Sequence, residues 1–212
     1  MSQALLALVA FVLGWFALGS GANVKRGNRA LAWLQGGLKA VGDKATVRWI
    51  GTTAVDLGLA QAKAPFESAS LVVFLAPRDL PWLWAVSRAR GRRDTLILRA
   101  RLQKPPLADV EMLDRASWSG RDALRGMKEE RWSVREPSQP GGLAVFTKFD
   151  EALARADELW REARTAGATV RRLAVRRNEP HLEFHVDLPA ASLDAAGFFL
   201  TVRALGEIAS RR

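Results

Sequence analysis

Two groups of side chains in this sequence have the residue types and spacing for chemistry. The first is His181, Glu183, His185 and Asp187, which recur every second residue. On a strand that period places all four on one face, where two imidazoles and two carboxylates could ligate a divalent cation. The intervening Leu182, Phe184, Val186 and Leu188 form an equally regular apolar face. The pattern is therefore expected to be an amphipathic strand with its polar face in solvent, and no metal site is assigned.

The second group is cationic. Between Ala76 and Lys104 lie Arg78, Arg88, Arg90, Arg92, Arg93, Arg99, Arg101 and Lys104, against only Asp79 and Asp94, a net of +6. Pro81-Trp82-Leu83-Trp84 stands beside it. On a helix Trp82 and Trp84 are separated by about 200°, so one core cannot receive both. Either the helix is buried on two sides, or one indole meets a groove, an interface or lipid headgroups. Trp82, Trp84, Arg88, Arg90, Arg92, Arg93, Arg99 and Arg101 are thus the candidate interaction surface, suited to phosphate on ribosomal RNA or on anionic lipid. A second basic strip, Arg171, Arg172, Arg176 and Arg177, flanks Leu173–Val175.

Other chemistry is sparse. The chain has 212 residues, no Cys, two His and a net charge of +10. Lack of Cys excludes disulfides, thiolate nucleophiles and Cys-ligated zinc or iron–sulfur centres. There is no G-x-S-x-G, no Walker loop and no H-E-x-x-H, so no catalytic or cofactor-binding residue is assigned and no cofactor is expected. A hydrolase or metal enzyme is the least supported class, for want of a nucleophile–base pair.

These residues must be positioned by a globular body. Thr46–Ile50, Ala54–Ala60, Phe66–Leu75 and Thr95–Leu102 read as strands. Asp79 is placed to cap a helix from Leu80, which Gly91 ends. Further on, Val110–Leu113 reads as a strand, Ser119–Met127 as a short helix, Arg131–Arg135 as an alternating strand and Glu136–Gly142 as a loop. Thr147 and Asp150 form a capping box for a helix over Lys148–Ala166, with Phe149, Ala152, Leu153, Ala156, Leu159, Trp160 and Ala163 as its apolar stripe. Thr169–Arg176 and His181–Leu188 suggest a hairpin. A helix over Ala190–Ser210 carries Arg203, Glu207 and Arg211 in one row. Without regular βαβ alternation the fold class is α+β.

The charge distribution divides the chain. No charged side chain precedes Lys25, and Ala4–Ala22 is an uncharged, mostly apolar run. At about 1.5 Å per residue it spans roughly 28 Å, close to the bilayer core. Residues 1–22 are read as a single transmembrane anchor and 23–212 as one basic domain, with a candidate subdivision near 104–142. Lys25, Arg26 and Arg29 follow the apolar run, which favours a cytoplasmic body. Ser20 and Ala22 also resemble a signal-peptide cleavage site, and a buried core helix is a third reading. Ala10 and Gly14 could pack against another membrane helix. Asn23–Val41 continues as a helix with Leu31, Leu34, Leu38 and Val41 on one face.

The order of features, with Asn28-Arg29-Ala30-Leu31-Ala32-Trp33, Leu71–Arg90 (LVVFLAPRDLPWLWAVSRAR) and Leu182–Pro189 (LEFHVDLP), resembles the calumin-like family. Those proteins are the coiled-coil subunits of the PAT complex at the endoplasmic reticulum translocon. The resemblance covers about residues 23–210. It implies a single anchor, a mixed α/β cytosolic domain and a non-enzymatic role as an intramembrane chaperone beside the ribosome and Sec channel, with a small membrane-protein partner. Only Met1 to Gln3 precede the anchor, so the family's acidic luminal, calcium-associated region is not expected here. Its charged coiled-coil tail is not expected either, and ribosome contact would fall to the domain's own arginines. A composition rich in Ala, Arg, Leu and Gly suits a high-GC prokaryote, whose counterpart would be a SecY-type translocon. The competing expectation is a signal-anchored or secreted module that binds an anionic envelope polymer or lipid surface.

Overall fold

The computed structural model describes residues 2–127, 132–137 and 142–211. It is an α+β protein: one antiparallel sheet with helices on both faces, preceded by a long apolar helix. The sheet strands are β1 (Ala45–Ile50), β2 (Ala54–Leu59), β3 (Phe66–Phe74), β4 (Thr95–Leu102), β5 (Val110–Leu113), β6 (Ser133–Arg135), β7 (Ala144–Thr147), β8 (Val170–Val175) and β9 (Leu182–Asp187). The helices are α1 (Gln3–Gln35), α2 (Pro81–Ala89), α3 (Trp118–Gly126), α4 (Ala152–Thr165) and α5 (Ala195–Ser210). Strand order is β1-β2-β3-β4-β9-β8-β5-β7-β6, so β5, β6 and β7 join the same sheet as the first hairpins.

Alternation decides which face each residue serves. Leu71, Leu98, Phe184, Leu173 and Met112 stand level across β3, β4, β9, β8 and β5, and all are buried. This face is covered by α4, α5 and the end of α1. Ala156, Leu159 and Ala163 of α4 meet Phe198, Val202 and Leu205 of α5 in one core. Burial of each such leucine or phenylalanine contributes about 1.5–3 kcal/mol. The opposite face is only partly covered: Leu113, Ala144 and Phe146 pack there against Ala123 and Leu124 of α3.

The apolar run and the segment after it form one helix. α1 runs unbroken for 33 residues, so the boundary at 22 falls inside a helix. Ser2 caps its start, and Gly36 and Gly37 end it before the predicted Val41, with a 3₁₀ turn over Leu38–Ala40. Gly37 is required because a Cβ there would overlap the Ala195 backbone. Leu34, Leu38 and Val41 still enter the core as the periodicity predicts.

Several local expectations fail for tertiary reasons. Asp79 does not cap α2, whose first flanking residue is Leu80; its carboxylate accepts a hydrogen bond from Thr52 Oγ1 at 2.9 Å instead. The capping box before α4 does not form, because Thr147 belongs to β7 and the helix starts at Ala152. Phe149 therefore lies outside the stripe and is exposed. α5 starts at Ala195, where Asp194 accepts from the amides of Ala196 and Gly197, not at Ala190. Arg203 pairs with Glu207, whereas Arg211 reaches Glu158 of α4. Arg131, and 138–141 of the predicted loop, lie outside the described residues.

Candidate functional site

α1 docks on the domain along one narrow side. Trp15, Gly19, Asn23 and Gly27 recur every fourth residue, which aligns them on a helix. Each meets the body of the protein. The Trp15 indole Nε1 donates to the Arg78 carbonyl at 2.9 Å. A Cβ at Gly19 would overlap that same carbonyl, and one at Gly27 would overlap the Trp49 ring. Asn23 is fully buried, and its Oδ1 accepts from Arg78 at 3.2 Å. Arg78 also makes two 2.9 Å bonds to Asp94, which Arg26 of α1 pairs with as well. Burial works to raise the Asp94 carboxyl, but Arg78, the Ala76 amide and Arg26 outweigh it and hold it below its usual range. Further along, Trp33 donates to the Leu193 carbonyl at 2.7 Å and packs on Phe198. The helix is thus tied to the domain from Trp15 to its end. The described residues before Trp15 are exposed apart from half-buried Val12, Ala10 and Gly14 included.

α2 follows directly from this seam, two residues after Asp79. Its exposed face is apolar: Trp82 is 57% exposed, Leu83 43% and Val86 46%. The buried position is Ser87. At about 100° per residue the three apolar side chains fall within roughly 100° of one another. A helix on a soluble surface has the reverse arrangement. Trp84 lies on the other side, half-buried, with the Arg88 guanidinium 5.9 Å from its ring centre. Both tryptophans are therefore placed as their angular separation requires, and Trp82 is the outward one.

The predicted arginine surface divides in two. Arg88, Arg90, Arg92 and Arg93 cluster at the end of α2, where Gly91 (φ +75°) turns the chain toward β4. Among the described residues none of these four has a carboxylate partner. Arg93 donates to the carbonyls of Arg88 and Arg92, and Arg92 lies 5.3 Å over the Trp118 ring. Arg99 and Arg101 lie elsewhere, on the less covered sheet face. Arg99 bonds Glu183 at 3.0 Å, and Arg101 bridges Glu67 and Glu179.

The second basic strip is turned inward except at Arg177, which is exposed. Arg172 is buried and pairs with Glu111 and Glu183, and Arg176 reaches Glu111 at 2.8 Å. Arg171 binds Asp187 and Asp114, and Arg177 donates to the Leu107 carbonyl. These arginines hold β5, β8 and β9 together rather than facing a partner. His181, Glu183 and His185, expected in solvent, are buried in or beside the same network. His181 Nδ1 accepts from the Leu102 amide, and His185 Nε2 donates to Glu183 at 3.0 Å. Burial works to raise the Glu183 carboxyl, yet His185, Arg172 and Arg99 hold it far below the usual range. Burial, helped by Arg172 and Arg99, pushes the His185 imidazole down, so it stays neutral. Among the described residues no three His, Asp or Glu side chains converge as metal ligands. No protein-family profile matches the chain, and no curated protein matches it.

Sequence reasoning missed the seam. Its one available signal was the spacing of Trp15, Gly19, Asn23 and Gly27. Asn23 is the first amide after the apolar run, and its burial shows that the run does not end in solvent.

Proposed function

We propose that this protein is a non-enzymatic, membrane-anchored factor that assists insertion or folding of membrane proteins from the cytoplasmic side. The observation that carries this reading is the continuity of α1. One helix is long and apolar enough to cross a membrane, and its second half is a core element of the folded domain. The domain is therefore held against the bilayer rather than tethered beside it. Lys25, Arg26 and Arg29 at the exit favour a cytoplasmic body. The resemblance to the calumin-like family supports work near a SecY-type translocon and the ribosome, with a small membrane-protein partner. The four arginines at the end of α2, without carboxylate partners among the described residues, supply a cationic surface for that environment. Cleavage as a signal peptide would remove Trp15 and Gly19 from their contacts with Arg78, and the docked seam argues against it.

Photo-crosslinking in membranes tests the reading. A crosslinker in place of Trp84 is expected to capture nascent membrane proteins or translocon subunits. Capture confined to envelope-polymer components would instead support a module acting outside the membrane.

A further inference from the structure

The depth at which the domain meets α1 has a consequence for α2. Lys25 is the first charged side chain of the chain. Gly19, against which the Arg78–Asp79 backbone lies, is about six residues earlier, or roughly 9 Å along the helix. Trp15, bonded to the Arg78 carbonyl, is about 15 Å from Lys25 by the same rise. The stretch before Trp15, Gln3 to Gly14, exposed but for half-buried Val12, is only about 18 Å long, well short of the roughly 30 Å hydrocarbon core. If α1 crosses the bilayer with Lys25 among the headgroups, the loop before α2 sits below the headgroup surface.

We propose that α2 is a second membrane element: an interfacial helix that lies beside α1 and inserts Trp82, Leu83 and Val86 into the headgroup–acyl boundary of an anionic bilayer. Three independent features support the bilayer as occupant of this face. The face is continuous with α1 through the Trp15–Arg78 and Gly19–Asp79 contacts. Its outward face is apolar, with Trp82, Leu83 and Val86 exposed while the one buried position is Ser87. Its end carries Arg88, Arg90, Arg92 and Arg93 without carboxylate partners among the described residues, which matches anionic headgroups. Interfacial helices place their apolar face about 5–10 Å into this boundary, the depth that the Gly19 contact sets. With two contact points the bilayer fixes the domain's orientation, which a single helix leaves free to rotate.

This inference rests on the reading of α1 as an anchor, and one experiment separates them. The chain has no Cys, so single-cysteine variants label cleanly. Full-length Leu13→Cys, Leu83→Cys and Glu207→Cys are spin-labelled and reconstituted in phosphatidylcholine–phosphatidylglycerol vesicles. Accessibility to oxygen against a water-soluble nickel chelate then gives depth. The expected result is label 13 in the hydrocarbon, label 83 about 5–10 Å below the phosphates and label 207 in water. Label 83 in water with label 13 in lipid overturns the interfacial helix and leaves the anchor standing. Labels 13 and 83 both in water overturn both.

Discussion

The two arginine-rich regions have similar composition and opposite roles. Arg171 and Arg172 on β8, and Arg176 just after it, are each matched to carboxylates from neighbouring strands or loops. At the end of α2, Arg93 has backbone carbonyls and Arg88 and Arg92 have indole rings for company, and Arg90 is exposed. The difference arises from strand pairing. Glu111 of β5 is level with Ala174 of β8, and Glu183 of β9 is level with the same residue from the other side. Acidic residues distant in sequence thereby converge on the β8 arginines. Among the described residues no carboxylate pairs with the arginines at the end of α2. A cationic run is a binding surface only where the fold leaves it without partners.

Removing one partner from each region gives the sharpest contrast. Glu111→Ala leaves buried Arg172 with only its longer, 3.4 Å contact to Glu183 and is expected to cost about 3–5 kcal/mol. Arg90→Ala, on the surface, is expected to stay within about 0.5 kcal/mol. Denaturant midpoints in micelles compare the two, and equal losses would erase the distinction.

A second contrast concerns the seam. Gly19→Ala forces a methyl group into the Arg78 carbonyl and should cost about 1–3 kcal/mol. Gly21→Ala meets open space and should be neutral, or stabilising by up to about 1 kcal/mol, from helix propensity. If both behave alike in thermal unfolding, α1 is not docked as described.

Acid titration separates the regions again. His185 is depressed in the fold, so the unfolded chain takes up a proton first as pH falls through about 6.5. Asp94 and Glu183 are also depressed, and their contribution is present above about pH 4 and lost below it. Stability is therefore expected to be flat above about pH 7.5, to fall from about pH 6.5 and to fall again below about pH 4. His185→Gln should flatten the first step, and Arg90→Gln should leave it in place. A first step that survives His185→Gln would refute the assignment.

The smallest effect is electrostatic. Each of Arg90 and Arg93, exchanged for Gln, should speed thiol modification of Leu83→Cys on anionic vesicles about fivefold at low salt, equivalent to about 1 kcal/mol per arginine. High salt should remove the difference. A salt-independent rate would exclude headgroup contact.

Much of the fold was legible in the sequence because its strands alternate cleanly. Thr95–Leu102 matched its predicted bounds, and the α+β class followed from the element order. The apolar face of β9 entered the core as read, but its polar face was misplaced. Alternation shows which residues share a face, not whether a helix and neighbouring strands will cover it. Capping at Asp79 and Thr147 failed for a related reason, since local signals lost to Thr52 and to β7 pairing. Trp82 and Trp84 were informative because their angle alone excluded a shared core. The partition of the arginines was not legible, as it depends on carboxylates as far away as Glu111 and Glu183.

The central proposal is that one folded body is fixed to the membrane through α1 and faces the cytoplasm. Impermeant maleimide labelling of full-length Glu207→Cys in intact cells tests it most directly. The account predicts no labelling until the membrane is permeabilised, followed by full labelling in the membrane fraction. Labelling of intact cells, or a labelled protein in the soluble fraction, would contradict it.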